Sequence, residues 1–425
     1  MIFVKFKNLI LTVILTAGLF VTPFFLGAAE INYPVASYSA EELAKVREWE
    51  KTWAGKKIDK TNIDQVAEFM IPTLVGIYKD PGKWGSPPEG SYFNIVPYKQ
   101  IIETKGMIAA TKKYAPLVKT DPNGKILNYA EIAGIPFPEP KTGLELAYNM
   151  ECNTRGDTYK IRWWAPSIDP RHRTDRPADQ IFEEMYFIHR VDVDPKPAIL
   201  KNPKGYHKGQ FLHFVLPPEM YNSRMIVMKF IDESKDYSSY LYYSEFRRIK
   251  RLSQAERTNA IDGTDMIYDD GNMWDGYLSH NESFDLKGKK ELLVARNQDM
   301  KNVTRVAGQA QADGWDMERC NMYVVEVKHK DPNYLYGKRV WYIDAETYMI
   351  QYQEMYDQLG QYWKFMQQPT GDVKTANDEM KSFSVGFQMH DMQRTHSGFT
   401  RNDVQKVSHN VKRKLFLLSN LQKTY

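Results

Sequence analysis

The chain has 425 residues, of which 42% are hydrophobic and 26% are charged. A chain of this length can bury roughly three quarters of its unfolded surface, as one long antiparallel unit or as more than one domain. Its 57 basic and 53 acidic residues nearly balance. Because nucleic-acid binding usually requires a basic excess on one face, this balance argues against a nucleic-acid partner.

Residues 1–29 have the pattern of a secretory signal peptide. Lys5 and Lys7 precede an apolar run over residues 9–26, and the small residues 27–29 form a cleavage site. The apolar run is near the length of a membrane span, so an uncleaved anchor is the alternative. Its threonines, glycine and proline favour cleavage, and both interpretations predict export. No cysteine lies near the cleavage site, so we expect no lipid attached to the chain itself.

Residues 30–133 combine helical and loop patterns. Ser39 and Glu42 form a capping box in front of an amphipathic stretch, which predicts a helix. The apolar spacing over residues 59–70 predicts a second helix, which we expect Pro72 to end. We therefore interpret this part of the chain as a helical and loop-rich N-terminal cover.

Strand patterns dominate residues 134–425, which we interpret as one antiparallel-sheet domain. Tyr240–Leu252 predicts a long strand, and the proline-rich and charged stretch Pro166–Pro177 predicts a surface loop. The other runs are separated by Gly, Pro, Asp and Asn, which is typical of an antiparallel meander. These runs are Thr158–Ala165, Gln210–Leu216, Arg224–Ile231, Met322–Lys330, Arg339–Ile343, Thr347–Met355, Gln361–Met366 and Ser382–Met392. Strands and helices do not alternate, so a parallel sheet is not expected.

Three stretches together resemble a known family. Residues 238–278 hold a tyrosine-rich strand, paired arginines, a Gly-Thr-Asp turn and an acidic pair. Residues 134–149 read GIPFPEPKTGLELAYN, and residues 336–364 read YGKRVWYIDAETYMIQYQEMYDQLGQYWK. This combination resembles an uncharacterised family of outer-membrane lipoprotein-sorting-like proteins, relatives of the periplasmic carriers LolA and LolB.

The resemblance implies a fold, a location and partners. The fold class is α+β and mainly β, with a curved antiparallel sheet that forms an open, unclosed barrel under covering helices. The implied location is the periplasm, peripheral to the outer membrane. The implied ligand is a lipid or other hydrophobic molecule held between sheet and helices, and the implied partner is a resistance-nodulation-division-type exporter or an outer-membrane protein. We expect no enzyme activity and no cofactor.

Strand parity predicts which aromatic and methionine side chains face this groove. The predicted ligand contacts are Trp163, Phe214, Met228, Phe230, Tyr242, Phe246, Trp341 and Trp363. Burial of an acyl chain supplies about 0.8 kcal/mol per methylene, which is enough to hold a long chain without a covalent bond. The alternative is that these side chains fill an ordinary packed core.

The basic run after the tyrosine-rich strand has two interpretations. Arg247, Arg248 and Arg251 are candidate contacts for an anionic headgroup or an acidic partner surface, because alternate residues of a strand face opposite ways and present cations on each side. The alternative is a solvated rim whose cations pair with nearby acids.

The sequence offers little for catalysis or metal binding. Its nine histidines form no H-E-x-x-H or H-x-H pattern, and it contains no G-x-S-x-G, Walker A or G-x-G-x-x-G motif. Asp265, Asp269 and Asp270 are the one carboxylate cluster that suits an alternative function, an envelope hydrolase. Turn residues that accept backbone hydrogen bonds explain them as well. A scaffold of an envelope assembly is the third hypothesis.

The two cysteines, Cys152 and Cys320, are an even pair in a chain with an export signal, which favours one disulfide. In the chain-entropy model the bridge would contribute on the order of 4 kcal/mol, because it closes a loop of more than about 100 residues. The alternative is two separate buried thiols.

Overall fold

One long antiparallel sheet organises the computed structural model, which describes residues 33–84, 86–153, 155–168, 174–261, 264–304 and 310–422. The predicted signal segment, residues 1–29, lies outside the described residues. The strands of the described residues are numbered β1 to β17 in chain order. They are Lys57–Ile58, Phe93–Ile95, Thr158–Ile168, Thr174–Tyr186, Tyr206–Leu216, Arg224–Phe230, Ser238–Tyr243, Arg248–Leu252, Asn281–Ala295, Trp315–His329, Lys338–Asp344, Ile350–Tyr356, Tyr362–Gln367, Thr370–Lys374, Met380–Ser384, Gly386–Asp391 and His396–Val407.

The order of the strands across the sheet is β1-β2-β10-β11-β12-β13-β16-β17-β3-β4-β5-β6-β7-β8, and β9 pairs with β10 beside this path. Strands β14 and β15 form a separate pair. The pairs are antiparallel except β2 with β10, which run parallel. Since β1 and β8 lie at opposite ends of the order, the sheet is curved but unclosed, and the predicted mainly β fold is confirmed.

Five helices of the described residues accompany the sheet: α1 Ala40–Trp53, α2 Pro72–Lys79, α3 Lys105–Tyr114, α4 Gly143–Cys152 and α5 Leu418–Leu421. The predicted capping box is present at α1, because Ser39 accepts from the Glu42 amide and Glu42 accepts from the Ser39 amide. The prediction that Pro72 ends a helix is wrong. Residues 59–70 hold two short 3-10 turns, and Pro72 begins α2, where a first-turn proline needs no amide donor.

Two predictions about strands and loops also differ from the structure, and several elements were not predicted. Tyr240–Leu252 is a hairpin rather than one strand, and Arg247 in its turn has a φ of 49°. The stretch 166–177 is not a simple loop, because β3 extends to Ile168 and β4 begins at Thr174. Helix α4 lies in a stretch that the strand patterns left unassigned, and strands β9 and β17 had no counterpart among the predicted runs.

Both faces of the central strands are buried, which explains why apolar residues there follow each other without strict alternation. On β13, Phe365 belongs to the same core cluster as Val46 of α1 and Leu74 of α2, whereas its neighbour Met366 belongs to the cluster on the other face that includes Leu146 of α4. Residues 30–133 supply β1 and β2 to the same sheet as well as helices to its faces. The division of the chain at residue 134 stays a prediction.

The two cysteines are free and buried, so the disulfide prediction is wrong. Cys152 ends α4 with its sulfur 3.8 Å from His189 Nδ1. Cys320 lies on β10, in the core that includes α1 and α2. The fold thus places the two thiols in different packing environments. The spacing of the cysteines in the sequence gives no information on this distance in space.

Candidate functional site

An apolar cavity lies between strands β3 to β6 of the sheet and a segment that we call the covering loop, which consists of residues 253–261 and 264–280. Its atom-free space is about 720 Å³ with its mouth included, and about 100 Å³ of this admits a water molecule. The sheet contributes its wall of Tyr159, Ile161, Trp163, Phe182, Leu212 and Val227. Ile261, Met266 and Tyr268 of the covering loop close the opposite side. The interior is therefore mostly, but not completely, filled by the protein's own side chains.

One end of the cavity is polar. Gln210, Asn272 and Asp275 line it there, whereas Gln180 lies four residues along β4 from Glu184 and pairs with Trp163 of the apolar wall. The Gln210 amide donates to Glu184 Oε2 at 2.7 Å and to Asp275 Oδ2 at 3.0 Å. An apolar space with a few fixed hydrogen-bonding groups is the usual composition of a pocket for a small amphiphile.

Buried ion pairs hold the covering loop at this polar end. Lys208 Nζ on β5 lies 2.9 Å from Asp275 Oδ1 in the loop and 3.2 Å from Glu184 Oε2 on β4. Lys229 on β6 contacts Glu151 of α4 and donates to the Gly276 carbonyl oxygen at 2.8 Å. Charges and hydrogen bonds, rather than a regular strand pairing, thus connect the loop to the sheet.

The pKa values in this network follow from burial and the neighbouring charges. Burial alone raises the pKa of Asp275, but Lys208, Arg257 and Lys229 outweigh it, and the pKa lies below its usual value. Burial lowers the pKa of Lys208, yet Asp275 and Glu184 reverse the sign and raise it. Both groups are therefore charged at neutral pH, and each is the partner that makes burial of the other tolerable.

The three carboxylates weighed for catalysis are structural anchors of the covering loop. Asp269 accepts from Arg257 Nε at 2.7 Å, and Asp270 Oδ1 lies 2.9 Å from Arg339 Nη1. Asp265 contacts His396 of β17. Each carboxylate thus has a basic partner, which supports the structural interpretation over a hydrolase with a free acid and base.

Trp163 is the predicted groove residue that lines the apolar cavity. Phe214 lies on the same sheet face, in a cluster with Leu212 and Val227, but it does not reach the cavity. Trp341 is fully buried in the core beneath α4, and Trp363 packs against that core while donating to Asp391 Oδ2.

The other predicted groove residues lie elsewhere. Met228 is on the opposite face of β6, where Tyr242 packs against the same cluster. Phe230 contacts Tyr206 at the end of β6, and Phe246 is 64% exposed in the β7–β8 turn. Strand parity could not predict that Phe214 and Met228 lie on opposite faces of the sheet, because β5 and β6 are apolar on both faces.

Sequence reasoning missed the polar end of the cavity. Lys208 and Gln210 share strand parity with Leu212, so a lysine and a glutamine on an otherwise inward-facing side were the available signal. Within the described residues, no group of three or more His, Cys, Asp or Glu side chains is arranged to hold a metal ion. The described helices are each too short or too polar to cross a membrane.

Fold and cavity together define a mainly β protein whose unclosed sheet and covering loop enclose an apolar space. The chain belongs to the family described as "Protein of unknown function (DUF1329)", whose model matches residues 57–422. The predicted membership of an uncharacterised family is thereby confirmed.

Individual relatives are distant. Uncharacterized protein PA3922 of Pseudomonas aeruginosa is 22% identical over 323 residues, which is 72% of this chain and 67% of that protein. A crystal structure of an outer membrane lipoprotein-sorting protein domain from Vibrio parahaemolyticus aligns with a TM-score of 0.47 and 14% identity over 66% of this chain and 98% of that one. A DUF1329 family protein from Desulfovibrio piger gives a TM-score of 0.47 and 12% identity over 66% and 97%. The LolA superfamily protein NE2245 from Nitrosomonas europaea gives 0.40 and 11% over 66% and 99%.

Proposed function

We propose that the protein is a periplasmic binding protein and carrier for a lipid or another hydrophobic molecule, whose apolar part enters the cavity under the covering loop. The observation that carries this proposal is the coexistence of an apolar wall and a polar end in one cavity between the sheet and the covering loop. The wall favours hydrocarbon, and the polar end, where Gln210 is hydrogen-bonded to Glu184 and Asp275, is the side on which a polar headgroup would lie. No enzyme activity is needed for this role.

The volume of the cavity limits what the closed form holds. A dry cavity of about 150 Å³ is large enough for a benzene molecule. The 100 Å³ open to water here is smaller, so the closed form suits only the end of a chain, and a longer acyl chain requires the covering loop to move away from the sheet. Such movement has to break the contacts of Lys208 and Lys229 with the loop and withdraw Met273 and Trp274 from the core.

The cargo needs a donor and an acceptor. In this proposal the donor or the acceptor is the partner that the sequence resemblance implies, a resistance-nodulation-division-type exporter or an outer-membrane protein. Residues 1–29 would direct the chain to the compartment where such a transfer occurs.

Native mass spectrometry of protein purified from a bacterial periplasm tests the proposal. Val227 lines the cavity, whereas its neighbour Ile226 packs on the opposite face of β6. Val227→Phe should fill the cavity and abolish co-purifying lipid, and Ile226→Phe, a matched change outside the cavity, should retain it. Each extra ring is expected to cost about 1–3 kcal/mol, so thermal melting checks that both variants fold.

Two outcomes oppose the proposal. Wild-type protein that stays empty after incubation with phospholipids and fatty acids has no carrier function of this kind. Equal lipid occupancy in the wild type and in a folded Val227→Phe variant would show that the lipid does not bind in this cavity.

A further inference from the structure

A second apolar groove lies on the face of strands β5 to β7 that is turned away from the cavity. Ile226, Met228 and Tyr240 form its floor, and Phe187 and Phe416 contribute to its walls. About 480 Å³ of this groove is open to water, which is several times the corresponding space in the cavity. We call this surface the basic groove for the charges described below.

The C-terminal segment presents leucines to solvent at this groove. Phe416 and Leu421 are buried and fix the segment on both sides, and Arg224 Nη1 donates to the Leu421 carbonyl oxygen at 3.1 Å. Between these anchors Leu417 is 55% exposed and Leu418 is 43% exposed. Because both ends of the segment are packed, the exposure of these two leucines is a fixed property of the surface.

The charges beside these leucines are all positive. Lys204, Arg413 and Lys414 line the groove, and none of its described lining residues is acidic. The Arg413 guanidinium lies 5.5 Å from the centre of the Phe187 ring, and the Lys204 ammonium lies 5.9 Å from that of Tyr206. Aromatic rings thus orient two of the cations, and their charge is left for an external anion.

The same face continues across the edge hairpin. Arg251 is paired with Tyr240, and Ile249 is paired with Tyr242, so their side chains share the face of the groove. Both Arg251 and Ile249 are exposed. Lys250 has the opposite parity and pairs with Glu256 at 2.7 Å. The predicted headgroup contact Arg251 therefore belongs to this surface.

We propose that the basic groove and the adjoining hairpin face dock the protein on a bilayer that contains anionic phospholipids. Exposed leucines enter the boundary between headgroups and acyl chains, and the flanking cations bind lipid phosphates. A ligand enclosed in the groove would leave the outward leucines in water, whereas a bilayer covers them. An acidic protein surface would pair with the cations but would not account for the adjacent leucines.

Vesicle co-sedimentation of the purified protein tests this proposal. Vesicles of phosphatidylcholine with phosphatidylglycerol should sediment the protein, and vesicles of phosphatidylcholine alone should do so weakly. Arg413→Glu with Lys414→Glu should weaken binding about ten-fold or more, since each basic residue near an anionic surface contributes about five-fold. Leu417→Ser with Leu418→Ser should weaken it as well, and added salt should weaken wild-type binding.

Matched controls separate this surface from general effects. Leu359→Ser changes a leucine that is 83% exposed in another hairpin, and Lys289→Glu with Lys290→Glu reverses two exposed charges on β9. Both should bind like wild type. Val227→Phe should also dock normally, so the failure of docking and the failure of the carrier proposal are distinguishable.

Three results would overturn the docking proposal. The first is folded wild-type protein that does not co-sediment with anionic vesicles. The second is binding that survives both the charge-reversal and the leucine variants. The third is removal of phosphatidylglycerol from the vesicles into a soluble complex that the leucine and charge variants abolish, because this identifies a second ligand site instead.

Discussion

The Lys208 ammonium on β5 lies 2.9 Å from Asp275 Oδ1 and so joins the sheet to the covering loop across the polar end of the cavity. Both side chains are buried. Removing one partner of a buried ion pair leaves an uncompensated charge, at a cost of about 3–5 kcal/mol. The pair therefore stabilises the closed position of the loop more than a surface ion pair would.

We predict that Lys208→Met lowers the free energy of unfolding by about 3–5 kcal/mol and speeds amide exchange in the covering loop. Lys208→Met combined with Asp275→Asn should cost less than the two changes separately, with a coupling energy of about 0.5–3 kcal/mol. Urea denaturation and hydrogen exchange measure both effects.

The control is the exposed pair of Lys45 with Glu41 on α1, where Lys45→Met should change stability by less than about 1 kcal/mol. Exchange in the covering loop that is unchanged in Lys208→Met would show that other contacts hold the loop.

The segment 134–149 that carried part of the family resemblance contains a side-chain clamp. Asn149 of α4 accepts from the Phe137 amide at 2.9 Å and donates to the Phe137 carbonyl oxygen at 2.7 Å. We predict that Asn149→Ala costs about 2–4 kcal/mol, because two backbone groups lose their partner. Thermal or urea denaturation measures the loss, and the exposed Asn123→Ala should leave stability nearly unchanged. An equally stable Asn149→Ala protein would mean that water replaces the amide.

Local residue patterns predicted some features of the fold and missed others. The helix at Ser39 was predictable, because a capping box is a local hydrogen-bond pattern. The family was predictable from three short stretches. The cavity wall was predictable at Trp163 but not at Met228, because a sheet buried on both faces removes the parity signal.

The contacts that close the cavity could not be predicted from the sequence for a different reason. Asp275 of the covering loop and Lys208 of β5 are 67 positions apart, and nothing local distinguishes either from a surface charge. The same limit applies to Cys152 and Cys320, whose even count suggested a bridge that the fold does not form.

Free thiols give a direct test of that correction. We predict two reactive thiols per chain after unfolding without reductant, and slow reaction of both in the native protein. Burial raises the pKa of Cys152 and of Cys320, so little thiolate is present to react. Titration with a thiol reagent, with and without denaturant, provides the count. Fewer than two thiols in unfolded, unreduced protein would restore the disulfide.

Buried histidines should make stability depend on pH. His189 is fully buried, and its Nδ1 lies 3.0 Å from the Ile132 carbonyl oxygen, to which the neutral ring donates. Burial lowers the pKa of His189 to about 4, although the Glu151 carboxylate acts in the opposite direction. The unfolded chain, with a histidine pKa of about 6.5, therefore takes up this proton first as the pH falls.

We predict that stability is full above pH 6.5 and falls as the pH drops toward 4, because the unfolded state binds more protons in this window. His189 alone should account for about 3 kcal/mol across the window, and other buried histidines such as His207 add to it. His189→Gln keeps an N–H donor for Ile132 and cannot titrate. As the pH falls, the free energy of unfolding of the variant should therefore decrease less steeply than that of the wild type. The two slopes should differ by up to about 1.4 kcal/mol per pH unit, which urea denaturations at successive pH values measure. Identical pH slopes in the variant and the wild type would show that His189 is already protonated in the folded protein or reachable by solvent.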